Sequence, residues 1–235
     1  MMKSRAWQFV LMVSSLGLVA CPAWGLSILV GPPFYPDIDI TPRLVGLGYT
    51  VYEIDPATWD SSFDYSAYDV VAFQFYSGEA ADVAHLVAAV EAEVIGVVFF
   101  RGSLAEQTAM ALGLISSGTF DYQLATQFNV VDNSHEITQN LDIATYNLLY
   151  TNMTHVVAPG ANTTTLANGP NGAALVVHNT KRVVATPFYG HFAGYDNETE
   201  IGRGITDRCL RWAAGEPIPV VQIPWGTVQS KFFRP

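Results

Sequence analysis

The chain has 235 residues, 50% of them hydrophobic and 14% charged, with a formal net charge of −10. That is enough apolar material for one sizeable core and modest for two domains. With 21 acidic against 11 basic residues there is no basic patch for nucleic acid, and the two cysteines, Cys21 and Cys209, cannot make a disulfide-built scaffold.

Lys3 and Arg5 precede an apolar run over residues 6–20, interrupted only by Gln8, Ser14, Ser15 and Gly17. A basic start, a short hydrophobic stretch and a small-residue exit have the layout of an export signal, and the run is short for a membrane span. Residues 1–25 therefore read as a signal peptide, leaving a mature chain with no transmembrane helix. Leu18-Val19-Ala20-Cys21 resembles the lipobox of bacterial lipoproteins, which implies a lipid anchor at Cys21 and a place at the cell envelope. Ala23-Trp24-Gly25 offers ordinary cleavage instead. The near absence of a spacer before the first strand favours this second, secreted or periplasmic form.

Strands and helices then alternate. Residues 26–30 form a first apolar strand ending at Gly31-Pro32-Pro33, followed by a short helix over 41–47 and a strand over 49–54. Tyr68-Asp69 opens a very apolar strand over 70–75. The next helix, over 79–93, places Val83, Leu86, Val87 and Val90 on one face and Asp82, His85 and Glu93 on the solvated side. A buried strand over 94–100 leads to a helix over 103–112 with Gly113 at its stop. This βαβαβ rhythm with continuous apolar strands predicts a largely parallel sheet covered on both faces, a three-layer α/β/α, flavodoxin-like domain over residues 26–215. After Thr119 the pattern changes to short strands near 127–131, 155–157, 174–178 and 182–186, a C-terminal hairpin extension with a turn at Asn179-Thr180.

The stretch from Lys181 to Gly215 carries the most information. A strand runs into an aromatic loop with His191 among Tyr189, Phe192 and Tyr195, and a helix follows. Ile201, Ile205, Cys209 and Trp212 recur at helical spacing, while Arg203, Asp207, Arg208 and Arg211 fall elsewhere around it. Asn197 and Glu200 suit the helix start and Gly215 its end. Cys209, on the apolar stripe, reads as a small buried hydrophobe. The Pro- and aromatic-rich tail, 216–235, reads as an extended surface segment.

Three segments resemble the class I glutamine amidotransferase-like superfamily, and within it the trehalose-utilisation-protein-like branch. Arg182-Val183-Val184, Gly190-His191 and Leu210-Arg211-Trp212-Ala213-Ala214-Gly215 look like that branch's "GRV…GH…RWAAG" ending. Ser134-His135-Glu136-Ile137-Thr138 looks like its "HPIT" loop, and Tyr68-Asp69-Val70-Val71 followed by a helix and Gly96-Val97-Val98 looks like its central sheet. The resemblance implies a nucleophilic cysteine on the turn after the strand ending at Phe100. The chain reads Phe99-Phe100-Arg101-Gly102-Ser103 there and carries no His-Pro-Glu later, so glutaminase chemistry by the family mechanism is not expected.

The candidate site residues gather at the strand C-terminal rim. His191 is the candidate catalytic residue, since an imidazole titrates near neutrality and the aromatic rings beside it suit a sugar-binding cleft. Asp37, Gly78, Glu79, Arg101, Ser103, His135 and Tyr189 are candidate ligand-binding residues: Gly78 as an N–H donor and Arg101 as a positive group on the same rim. Ser103 with Glu106 also forms an S-x-x-E capping box, and His135 sits in ordinary turn sequence. No histidine has metal-ligand company at a known spacing, though Asp37, His135 and His191 could meet in space; no cofactor is expected. The leading expectation is an exported, non-catalytic or cryptic amidotransferase-like domain that binds a small polar ligand, a carbohydrate being the candidate. The alternatives are a hydrolase or carbohydrate-modifying enzyme pairing His191 with Asp37 or Glu79, and a cell-surface or assembly component acting through its tail.

Overall fold

The wholly apolar segments become the buried centre of a nine-stranded sheet. The structure, a computed structural model, describes residues 25–31, 40–55, 58–74, 77–100, 103–117, 120–188 and 200–218. Strands β1 (Ser27–Val30), β3 (Val70–Phe73) and β4 (Gly96–Phe99) lie side by side, with β2 (Thr50–Glu53) outside β1. After β5 (Phe120–Val130), β6 (Thr145–Val156), β7 (Thr163–Gly169) and β8 (Gly172–His178), the chain returns to the centre as β9 (Val183–Ala185), beside β4. The sheet order is β2-β1-β3-β4-β9-β8-β7-β5-β6. The first five strands of that order are parallel, and the other four extend the sheet antiparallel.

Side chains alternate across the sheet, so β1 sends Ile28 and Val30 to one face and Leu29 to the other. On the first face Val98 and Ile28 meet Leu44 of α1 (Thr41–Gly46) and Ile205, Cys209 and Leu210 of α4 (Glu200–Ala214). On the second, Val71, Phe73 and Phe99 meet Leu86 of α2 (Val83–Glu91) and Ala109 of α3 (Glu106–Ala111). The molecule is thus the expected three-layer, flavodoxin-like α/β/α arrangement. Among the described residues no helix is long and apolar enough to cross a membrane.

Several elements depart from the pattern read from sequence. Helix α2 begins after Asp82, whose side chain accepts from His85 N at 2.9 Å, rather than at Glu79. His85 is not on a solvated face: its Nε2 lies 2.7 Å from Phe63 O. Helix α3 starts three residues later than expected, at Glu106, and ends at Ala111, with Gly113, whose φ is +81°, closing the turn after it as expected. Strands β5 and β6 are long rather than short, and β7 was not anticipated. Register shifts at Ala125/Gln127 and Thr165/Ala167 break the polar–apolar alternation that would have marked them. On α4, Arg208 lies off the apolar stripe and is nonetheless buried.

Candidate functional site

In a 2-1-3-4-5 parallel sheet, ligands bind outside the strand C-terminal ends, at the point where the strand order reverses. Here that point lies between β1 and β3, and a polar side chain absent from the sequence candidates occupies it. Gln74, fully buried, donates from Nε2 to Gly31 O at 2.7 Å and accepts at Oε1 from Ile40 N at 2.9 Å. It therefore holds both ends of the segment that contains Asp37. Ser77 Oγ accepts from Gln74 N at 3.0 Å and lies 3.3 Å from Gly31 O, where a Cβ on Gly31 would approach it to 3.0 Å. A single amide ending an otherwise apolar run, Val70 to Phe73, was the sequence signal for this position.

The next two loops are tied together. Leu104 N donates to Ser77 O at 3.0 Å. Glu79 reaches across to the start of α3, accepting from Gln107 N at 2.8 Å, Thr108 N at 2.8 Å and Thr108 Oγ1 at 2.6 Å. A carboxylate at a helix N-terminus satisfies otherwise unpaired N–H groups and complements the helix dipole. Glu79 thus does the capping that Ser103 and Glu106 were expected to do. Ser103 is buried and its Oγ accepts from Ala105 N, at 3.2 Å, just outside the helix. Gly78 is exposed beside them, with nothing within 4 Å of where a Cβ would stand. The structure thus brings Gly78, Glu79 and Ser103 to one rim. Asp37, Arg101, Tyr189 and His191 lie outside the described residues, as do Gly190, Asn197, Cys21 and the tail beyond Ile218.

His135 is at the other end of the strands. Its ring meets Trp212 of α4 edge-on, with centroids 5.2 Å apart, and its Nδ1 accepts from Ile137 N at 3.2 Å. Burial holds its pKa below the usual imidazole range. Ile137 is fully buried, and Arg208 Nη1 donates to its carbonyl at 3.1 Å. Nearby, the Arg182 guanidinium lies over Gly215, whose φ is +75°, with Nη1 3.5 Å from Ala214 O at the end of α4. Gly96 abuts the same helix end: a Cβ there would stand 2.0 Å from Ala213 O. Nearly two turns back, Tyr49 OH donates to Asp207, which also pairs with Arg211 Nε at 3.1 Å. Beside this knot is a cleft of about 420 Å³, lined in part by Glu136, Asn179, Thr180, Arg182, Trp212 and Glu216. Among the described residues, no group of three or more His, Cys, Asp or Glu side chains could hold a metal ion.

No protein-family model and no curated protein matches the chain. Solved structures match it in fold. A protein from Bacteroides uniformis described as ThuA-like aligns with a TM-score of 0.57 at 11% identity, covering 80% of this chain and 90% of its own. A GMP synthase subunit from Thermoplasma acidophilum aligns with a TM-score of 0.52 at 16% identity, covering 87% and 98%. The α-L-fucosidase isoenzyme 2 of Paenibacillus thiaminolyticus aligns with a TM-score of 0.51 at 14% identity, over 83% of this chain and 33% of the fucosidase.

The chain has the three-layer α/β/α fold of these proteins. In such a fold the resemblance implied a cysteine on the turn after β4, and the first described residue past that turn is the buried Ser103. Cys209 is fully buried in α4, and burial pushes its thiol pKa far up, so it is no nucleophile. The segments carrying the amidotransferase-like resemblance meet physically: Arg182 on Gly215, Gly96 on Ala213, His135 on Trp212. All three contacts dock the end of α4 on the N-terminal side of the parallel strands.

Proposed function

We propose that the protein is an exported amidotransferase-like domain without glutaminase chemistry, which binds a small polar ligand, a carbohydrate, at the C-terminal rim of its parallel strands. The observation that carries this is the use made of the rim's own polar groups. The Glu79 carboxylate is spent on the α3 N-terminus, the Ser103 hydroxyl accepts from Ala105 N, and Gln74 is engaged by Gly31 and Ile40. A rim whose carboxylate and hydroxyl serve the backbone is arranged to hold its loops still, and preorganised loops favour binding. A hydrolytic reading that pairs His191 with Glu79 would have to break that cap. The carbohydrate draws support from the aromatic residues around His191 in sequence and from the similarity of this fold to one third of a protein named as a fucosidase. Export draws support from Lys3, Arg5 and the apolar run that follows them.

The test is thermal unfolding of the protein against sugars, carboxylates and divalent metals, with His191→Ala beside the wild type, and an assay for ammonia release from glutamine. A sugar at about a hundred times its Kd should raise the melting temperature by roughly 5–10 °C in the wild type and not in the variant. Ammonia release above background, or no shift with any sugar, would sink the reading.

A further inference from the structure

The cleft at the opposite pole plays no part in the rim reading, and neither depends on the other. Its volume of about 420 Å³ falls in the range of small-molecule sites. Its lining decides what kind of molecule suits it. Lys181 Nζ is already 3.0 Å from Glu91 Oε1. The Arg182 guanidinium already faces the negative end of α4, over Gly215 and toward Ala214 O. Both cations are therefore compensated within the protein, while Glu136 and Glu216 put two exposed carboxylates on the walls.

An anion would enter against those carboxylates, and Lys181 and Arg182, the basic residues among the described lining, are already engaged. A metal cation would meet two carboxylates but, among the described residues, no group of three His, Cys, Asp or Glu ligands. A neutral molecule rich in hydroxyls meets no such conflict. Carboxylates accept from hydroxyls, Asn179 keeps its Nδ2 as a donor while its Oδ1 accepts from Thr164 Oγ1 at 2.7 Å, and Thr180 carries a hydroxyl. Trp212 is half-buried in the wall, and its indole offers an apolar face of the kind on which a sugar's C–H groups stack. Its ring is already held by His135 edge-on, so little side-chain entropy is lost on binding. The turn carrying Asn179, Thr180 and Lys181 is likewise set before any ligand arrives. His178 Nδ1 accepts from Thr180 N and Lys181 N, both at 3.2 Å.

We infer that this cleft binds a neutral saccharide of one or two rings, stacked on Trp212 and hydrogen-bonded by Glu136, Asn179 and Glu216. The test is ¹⁹F NMR of the full chain labelled with 5-fluorotryptophan, titrated with maltose, cellobiose or N,N′-diacetylchitobiose, and with citrate as an anion. The Trp212 resonance is assigned by its loss in Trp212→Phe. At least one disaccharide should shift that resonance with a Kd of about 1–10 mM, leaving the other tryptophans in place. Glu136→Ala and Asn179→Ala, both at exposed positions, should each weaken binding about fivefold or more, whereas His191→Ala should not. The inference is overturned if no sugar moves Trp212 up to about 50 mM, if citrate moves it in preference, or if the response survives both cleft variants. A melting shift abolished by His191→Ala with a silent Trp212 would support the rim reading and refute this one.

Discussion

The two ends of the parallel strands are built differently. At the C-terminal rim, side chains span from loop to loop: Gln74 joins the two ends of one segment, and Glu79 reaches from the β3–α2 loop to the first turn of α3. At the N-terminal pole the tightest contact is backbone on backbone, Gly96 against Ala213, and the Arg182 side chain covers Gly215 beside it. Hydrogen-bonded loops can change their residues and keep their shape, so a rim can exchange its chemistry. A contact in which no Cβ fits cannot change without moving a helix. The residues by which this chain resembles amidotransferase-like proteins lie largely at the second end, where they report the fold and not a reaction.

That contrast can be broken by substitution. Gly96→Ala is the severest test, because the new Cβ meets the backbone of Ala213 rather than a movable side chain. It should cost about 3 kcal/mol or more in urea unfolding, and a loss under about 1 kcal/mol would show that α4 docks less tightly than its geometry implies. Gln74→Ala comes next, with a loss of about 2 kcal/mol, since it strands the buried Ile40 N–H and leaves the Gly31 carbonyl only the longer bond from Ser77 Oγ. Gln74→Leu should fare no better if satisfaction of those groups, and not the filled volume, is what matters. Glu79→Gln keeps the shape of the cap but removes its charge, so about 1 kcal/mol should be lost. A wholly neutral result would reopen Glu79 as a functional carboxylate.

The gentlest probe is pH. Burial holds His135 and His178 below the ordinary imidazole range, and Lys181 lowers His178 further. Folded, each is neutral where its unfolded counterpart begins to protonate. Their contribution is therefore complete above about pH 6.5 and is lost as the pH falls through the depressed folded-state values. For His178 the geometry agrees, since a protonated Nδ1 could not accept from Thr180 N and Lys181 N. Urea midpoints at about pH 7.5 and 5.5 should show this slope, and His178→Gln should flatten it. An unchanged slope in the variant would assign the pH dependence elsewhere.

Much of the scaffold was legible from residues alone. Unbroken apolar runs such as Val70 to Phe73 announced buried parallel strands, and the spacing of Ile205, Cys209 and Trp212 announced α4. Both signals are local, because strand and helix periodicity follow from backbone geometry. The extension was less legible, since bulges at Ala125/Gln127 and Thr165/Ala167 shift the period within a strand. The site was least legible. Ser103-x-x-Glu106 reads as a capping box, yet the helix takes its cap from Glu79, 27 residues upstream of Glu106. Arg208 falls off the apolar stripe of its helix, and nothing in that spacing shows that it turns inward to the carbonyl of Ile137.

Sequence by itself determined the layer order, the parallel core, the burial of Cys209 and the lack of a cysteine at the turn after β4, because composition and period decide which faces must leave water. The tertiary structure alone decided which polar groups remain for a ligand. Whether Glu79, Gln74, His135 or Arg182 is spent or available depends on the backbone groups that the fold brings within 3 to 4 Å of it. Those partners lie tens of residues away for Glu79, Gln74 and Arg182 alike, and no local pattern encodes a distance between segments that only packing brings together.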